Sequence, residues 1–173
     1  MAVRNDFKEL KKVIGDEKIY AICLVTDSNA ITVFLAINTY EKMGKKYHKY
    51  FKGQSLNTKD EIFYKTVKWV PAEWEYDDSD LEQSEIDLVS DYLAENGETI
   101  KDSRFREFEE KFYETMTEIL LILRNEGVFG HKEDDITVFI SISDDERAEM
   151  VENYSAGLLN SENVSREFLK RWD

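Results

Sequence analysis

The chain has 173 residues, 42% of them hydrophobic and 13% aromatic, which is enough to build a core and excludes wholesale disorder. Its net charge of −14 at pH 7 disfavours binding to nucleic acid phosphates and to anionic membranes. The first residues lack the apolar centre of a secretory signal, and the single cysteine, Cys23, has no disulfide partner in the chain. We therefore expect a cytoplasmic protein with no membrane contact.

The first third of the chain predicts a helix followed by a β-hairpin. Residues 3–14 carry apolar side chains at helical spacing. The segments KIYAICLVTD and AITVFLAINT follow, joined by DSNA, and both are apolar at consecutive positions. Consecutive apolar positions are typical of strands that are buried on both faces, so we expect this hairpin in the middle of a sheet.

The next segments predict a short helix and a third strand. YEKMGKKYHKYFK is polar and basic, which favours a short helix followed by a loop. IFYKTVKWV is rich in β-branched and aromatic residues, and Phe63, Val67 and Trp69 alternate with lysines. We expect a strand here that stops at Pro71, because proline cannot donate a ladder hydrogen bond.

The second half of the chain predicts mainly helices. DDSDLEQSEIDLVSDYLAENG predicts a helix whose inner stripe is Leu81, Leu88, Val89, Tyr92 and Leu93. A longer helix is expected from Ser103 to about Asn125, closed by Gly127. DITVFISISD predicts a fourth strand, followed by helices at roughly 145–153 and 162–172.

These elements predict one α+β domain over residues 1–173, with a mainly antiparallel sheet of about four strands packed with several helices. The sequence contains no linker and no periodic repeat.

Several common chemistries have no motif in this sequence. Phosphate-binding glycine loops and a nucleophile elbow are missing, and Cys23 lies in a predicted core strand. A calcium loop starting at Asp78 fails because Gln83 occupies the position that requires glycine. One cysteine and the separated His48 and His131 do not make a zinc site. We expect no cofactor and no metal, although so many carboxylates leave a magnesium site open.

The segment KWVPAEWEY, residues 68–76, has two interpretations. Trp69 and Trp74 can fold over the end of the sheet as a lid on the core, which is the interpretation that we favour. Alternatively, Trp69, Glu73, Trp74 and Tyr76 line a ligand pocket. A carboxylate beside indole rings would have its pKa raised by desolvation, which suits a general acid or base.

Two further segments contain candidate binding residues. GVFGHKEDD places His131 near Asp134 and Asp135 at the start of the fourth strand, where a carboxylate could orient the imidazole. In SISDDERAE, Asp144 or Asp145 is expected to cap the next helix. For both segments the favoured interpretation is structural.

FYKTVKWVPAEWEYD, GVFG and ITVFISISDDE resemble, in that order, the landmarks of a bacterial domain-of-unknown-function family, the one numbered four-three-zero-three. IYAICLVTD and Asn38–Thr39 also fit its pattern. The resemblance implies a single bacterial α+β domain with no established activity. Members look like accessory proteins found beside polymorphic toxins, where acidic immunity proteins bind and block their toxin. The resemblance supplies no active site.

The charge is divided unevenly, and this division underlies the first of two functional hypotheses. Residues 1–68 carry a net charge of +5, whereas residues 69–173 carry −19. The first hypothesis is a non-catalytic binding protein, such as an immunity-type inhibitor, whose acids in segments 75–91 and 144–152 contact a basic protein surface. The second is a carboxylate-based hydrolase or transferase with Glu73 as general base beside Trp69 and Trp74.

Overall fold

The structure, a computed structural model, describes residues 1–51, 58–97 and 102–173. In these ranges a four-stranded sheet packs against helices on both faces. The helices are α1 Ala2–Ile14, α2 Tyr40–Tyr50, α3 Thr58–Trp69, α4 Glu85–Gly97, α5 Asp102–Asn125, α6 Ala148–Leu159 and α7 Glu162–Leu169. The strands are β1 Ile19–Asp27, β2 Val33–Thr39, β3 Tyr76–Asp77 and β4 Thr137–Ser143.

The sheet has the strand order β3-β2-β1-β4, which confirms the α+β fold and the central position of the hairpin. β1 pairs antiparallel with β2, and β2 pairs antiparallel with β3. β4 pairs with β1 in parallel, so the sheet is mixed. This parallel pair brings the carboxyl ends of β1 and β4 together at one edge of the molecule.

Two cores, one on each face of the sheet, explain the uninterrupted apolar sequence of β1. Ile22 and Leu24 point into the larger core, which is completed by α1, α4 and α5. Ala21, Cys23 and Val25 point into the smaller core, which is completed by α2, α3 and α7. Side chains alternate between the faces of a strand, so a strand covered on both faces is apolar at every position.

Polar side chains of α6 and of Asn160, the residue that follows it, occupy the outer edge of β4. The Asn160 side chain accepts a hydrogen bond from Val138 N and donates one to Val138 O, both at 2.8 Å. Ser155 Oγ accepts from Ile140 N at 3.0 Å. These groups take the place of a neighbouring strand, so the edge offers few unpaired backbone groups to another chain.

The opposite edge is closed in a similar way, because β3 pairs with only two residues of β2. On α4, Ser90 Oγ accepts a hydrogen bond from Val33 N at 2.8 Å and donates to Val33 O at 2.9 Å. Asp78 Oδ1 accepts from Leu35 N at 3.0 Å. Helical side chains therefore protect both edges of the sheet.

The predicted third strand, IFYKTVKWV, is wrong, because this segment forms helix α3. Phe63 and Val67, which the alternating pattern placed on one face of a strand, are four residues apart and also share one face of a helix. Val67 is fully buried in the smaller core, and Phe63 packs against that core. The third strand is the short β3 instead, and Pro71 begins a 3-10 turn, Pro71–Glu73.

The predicted inner stripe of α4 is also wrong at three of its five positions. Leu88 and Tyr92 are 66% and 65% exposed, and Val89 is also exposed. Leu93 is buried as predicted, and Ile86, which was not predicted, is buried with it on the helix face that carries Ser90. The bond between Ser90 and β2 fixes this rotation, which places the apolar side chains at positions 88 and 92 outside.

Predicted helix ends after residue 100 are correct for α5 and displaced for α6 and α7. Gly127 closes α5 as expected, with φ +73° and a hydrogen bond from Val128 N to Leu123 O at 2.9 Å. The helix predicted at 145–153 begins at Ala148 and continues to Leu159, whereas the one predicted at 162–172 ends at Leu169. The loop expected after α2 lies outside the described residues.

Candidate functional site

The two tryptophans of the KWVPAEWEY segment point into the smaller core. Trp69 and Trp74 are 6% and 9% exposed. The Trp69 ring meets Phe168 edge-on at 5.2 Å between centroids, and Trp74 meets Phe139 at 5.9 Å. Aromatic pairs in this geometry stabilise a core beyond the area that they bury. This placement is that of a lid at the end of the sheet.

The other two residues predicted in this segment point towards α2. Glu73 forms an ion pair with Lys46, with 2.7 Å between Oε2 and Nζ. The Tyr76 hydroxyl donates to Glu17 at 3.1 Å, and burial together with the Glu17 carboxylate raises the pKa of Tyr76. Glu73 and Tyr76 therefore do not converge with the two indole rings on one ligand.

The GVFGHKEDD segment is built as a tight turn. Asp134 Oδ2 accepts a hydrogen bond from the backbone N of His131 at 2.7 Å, so this contact does not orient the imidazole ring. The same oxygen lies 2.5 Å from where a Cβ of residue 130 would be, and Gly130 has φ +79°, which requires glycine. Buried Arg124 donates to Phe129 O at 2.9 Å and holds the turn from beneath.

Asp145 has a structural role that differs from the predicted helix cap. Its carboxylate accepts from the Arg147 guanidinium, with 2.6 Å from Nη2 to Oδ2, and these hydrogen bonds lower the pKa of Asp145. Arg147 also bonds Glu109 at 2.8 Å between Nη2 and Oε1. Helix α6 starts after Arg147 without a side-chain cap, so the predicted capping role of Asp144 or Asp145 is wrong.

Asp144 and Trp69, two of the predicted residues, line one cavity of about 250 Å³. It lies at the carboxyl ends of the parallel strands β1 and β4, where open α/β sheets commonly bind ligands. Asp144 is exposed and has φ +55°, in the left-handed region. The sequence did not predict that Trp69 and Asp144 line the same cavity, because the two residues are 75 positions apart.

A second region, which sequence reasoning placed in the core, is the outer face of α4. Exposed Leu88 and Tyr92 are four residues apart, so they form a continuous apolar stripe on the helix. Four exposed carboxylates share this helix: Glu85, Asp87, Asp91 and Glu95. No ion pair formed among the described residues includes any of the four.

The acidic character extends beyond the helix. Residues 69–100 contain no lysine or arginine. This absence of basic residues is the feature of the sequence from which an acidic surface here could have been predicted. Between α1 and α4 lies a groove of about 590 Å³, lined by residues that include Asn5, Lys8, Glu85, Asp87 and Leu88. We call Leu88, Tyr92, the four carboxylates and this groove the α4 face.

A comparison with known protein families confirms the family that the landmark segments of the sequence resemble. The family described as Domain of unknown function (DUF4303) matches residues 1–161. The chain belongs to this family. Searches of curated proteins and of solved structures each found no match.

Two kinds of feature, a membrane-spanning helix and a cluster of metal-binding side chains, are missing from the described part of the chain. In the described part of the chain, no helix is long and apolar enough to cross a membrane. In the same ranges, no three histidine, cysteine, aspartate or glutamate side chains group as a metal ion would require.

Proposed function

We propose that this protein is a non-catalytic acidic binding protein, and that its α4 face binds a basic surface of another protein. The observation that carries the proposal is an exposed apolar stripe, Leu88 and Tyr92, on a helix whose four exposed carboxylates form no ion pair among the described residues. Tyrosine is among the residues that most often dominate binding energy at interfaces.

The chemistry of the α4 face favours a partner rich in lysine and arginine. Carboxylates around an apolar centre attract a basic protein over distance and accelerate association. Without a partner, Asp91 and Glu95 repel their acidic neighbours, and Glu95 lies at the carboxyl end of a helix, where negative charge is unfavourable. A bound cationic surface would remove both costs. The groove beside Leu88 offers space for a long basic side chain.

Within this function, we propose an immunity-type inhibitor of a bacterial toxin that acts in the cytoplasm. The likeness of the landmark segments to accessory proteins found beside polymorphic toxins and the charge of −19 over residues 69–173 support it. The alternative, a carboxylate-based hydrolase or transferase, has less support. Its proposed base, Glu73, is paired with Lys46 and lines neither of the two cavities to which Trp69 contributes.

A matched pair of tyrosine variants tests the proposal. Tyr92 on α4 and Tyr154 on α6 are each 65% exposed, so Tyr92→Ala and Tyr154→Ala remove similar side chains from two helix faces. Tagged wild type and variants would be used to capture proteins from bacterial lysate at low and high salt. We expect a basic protein captured by wild type and Tyr154→Ala at low salt, and at least tenfold less of it by Tyr92→Ala.

Equal capture by the two variants would place the interface elsewhere and contradict the proposal. Loss of capture with Tyr154→Ala alone would move it to α6. For the inhibitor, purified captured protein should lose its toxic activity when mixed with wild type and keep it when mixed with Tyr92→Ala. Toxic activity that wild type leaves unchanged would end the immunity interpretation without ending the binding one.

A further inference from the structure

The cavity at the carboxyl ends of β1 and β4 has a lining that selects a chemical class of ligand. Its walls are largely aromatic and aliphatic, with Phe34, Trp69, Pro71 and Trp172 among them. At about 250 Å³ it exceeds the roughly 150 Å³ cavity that holds benzene in another protein. We propose that this cavity binds a small organic cation, an amine carried on an apolar or aromatic body.

The charges that line the cavity have one sign. Among the residues that the structure describes, Asp144 and Glu152 are the only ionisable ones that line it, and no lysine, arginine or histidine does. Glu152 is held in place by Ser141 Oγ, which donates to Oε1 at 2.5 Å, and by Arg171 Nη2, which donates to Oε2 at 2.7 Å. Arg171 offsets the charge of Glu152, so Asp144 supplies the net negative charge.

Asp144 is suited to meet a ligand because it is not engaged in the fold. It is exposed, and its carboxylate accepts no hydrogen bond from the described residues, unlike its neighbour Asp145. Its backbone is held at φ +55°, a conformation that few non-glycine residues adopt and that aspartate and asparagine tolerate best. Non-glycine residues in this backbone conformation cluster at active sites and ligand-binding sites.

The indole rings of Trp69 and Trp172 supply the second part of the recognition. Each already has one cation of the chain near it, Lys68 Nζ at 4.6 Å from the Trp69 centroid and Arg171 Cζ at 5.6 Å from the Trp172 centroid, so a ligand would use the other face of the ring. Trp69 is 6% exposed and forms part of the wall, whereas Trp172 is 44% exposed and lies at the surface. The negative face of an indole attracts an organic cation, more strongly where water is excluded. An anion would be repelled by the Asp144 carboxylate, and a neutral ligand could gain only a hydrogen bond from it, without attraction between opposite charges. The cavity therefore favours a cation with an apolar body.

Three phenyl-containing probes of similar size, one cationic, one neutral and one anionic, test the proposal without any partner protein. Purified full-length protein would be titrated at pH 7 with 2-phenylethylamine, a cation, with neutral 2-phenylethanol, and with anionic 3-phenylpropionate. Binding would be followed by calorimetry and by the indole N–H signals in NMR. We expect the amine to bind at least tenfold more tightly than the alcohol, and the anion not to bind at millimolar concentration.

The indole signals report the location. Trp69 and Trp172 line the cavity and should shift, whereas Trp74 does not line it and should not. Equal affinity for amine and alcohol would overturn the role of charge. No binding of the amine, or a shift confined to Trp74, would overturn the site.

Variants at two acidic positions distinguish specific binding in the cavity from general attraction of a cation to an acidic protein. Asp144→Asn preserves size and tolerates the same backbone, and it should weaken amine binding about tenfold. Glu149→Gln removes an equal charge from an exposed position on α6 that does not line the cavity, and it should leave affinity unchanged. Equal losses from both would show non-specific attraction and contradict the proposal. The test is independent of the α4 face, so it can fail without affecting the proposed function.

Discussion

Helices α4 and α6 cover opposite edges of the sheet, and each does so with a serine side chain. They differ in whether the acidic residues nearby form ion pairs. Each uses a serine to bond a strand edge, Ser90 to Val33 and Ser155 to Ile140. Each also exposes apolar side chains four residues apart, Leu88 and Tyr92 on α4, and Met150 and Tyr154 on α6. The two helices differ in whether arginine is present beside their carboxylates.

Around α6 three of the carboxylates are part of the fold. Glu152 bonds Arg171, while Asp145 and Glu109 share Arg147. Around α4 no described cation pairs with the acids. The acidic residues of segment 69–173 are thus of two kinds: some form ion pairs within the fold, and others are unpaired and exposed to a partner. Acids of segment 144–152 such as Asp145 and Glu152 are occupied within the fold, which makes α4 the stronger surface for a partner.

The largest expected effect comes from breaking a structural pair beside α6. Arg171→Met leaves the Glu152 carboxylate buried without its cation, and we expect a loss of about 3–5 kcal/mol in the free energy of unfolding. Urea denaturation measures it. The control is Arg166→Met, since Arg166 is exposed and its pair with Glu162 should contribute less than about 0.5 kcal/mol. Equal losses would remove the distinction between structural and surface acids.

The next effect concerns Asp78, a buried acid beside α4. Burial raises the pKa of Asp78 to about 6, so the native state retains a proton that the unfolded state releases. Stability should therefore fall as pH rises from about 4 to 6, by at most about 3 kcal/mol. Asp78→Asn should remove this dependence in urea unfolding across that range. Exposed Asp16→Asn is the control and should retain it. An unchanged slope in Asp78→Asn would contradict the assignment.

A smaller effect is expected from opening the β4 edge. Asn160→Ala leaves both Val138 N and Val138 O without their partner and should cost about 2 kcal/mol. It should also cause association that rises with protein concentration, because the exposed edge can pair with another chain. Asn163→Ala, at an exposed position of α7, should change stability by less than about 0.5 kcal/mol and leave the protein unassociated. Light scattering with thermal unfolding distinguishes the two variants.

The smallest expected effect has the opposite sign. The double variant Asp91→Asn and Glu95→Gln removes unpaired charge from α4 and should stabilise the isolated protein by about 0.5 kcal/mol at low salt. The gain should vanish in high salt, where charge repulsion is screened. Glu162→Gln, which breaks a surface ion pair, should not stabilise the protein. A destabilised double variant would mean that these acids support the fold, contrary to the comparison with α6.

Local pattern predicted some parts of the structure well. The buried hairpin, α5 with its glycine cap, and β4 follow from continuous apolar runs and a long helical period, which few arrangements satisfy. The strand predicted at IFYKTVKWV failed because Phe63 and Val67 fit both periods. Of the predicted site residues, Trp69 and Asp144 share a cavity, but nothing local relates positions so far apart.

By itself, the sequence determined the class of the fold, the central hairpin, the family and the division of charge between the two halves. These properties depend on composition and on neighbours along the chain. Only the tertiary structure decided which side of α4 faces water and which acids meet an arginine. Those outcomes depend on long-range contacts, such as Ser90 with Val33 and Arg171 with Glu152, whose energies no local pattern contains.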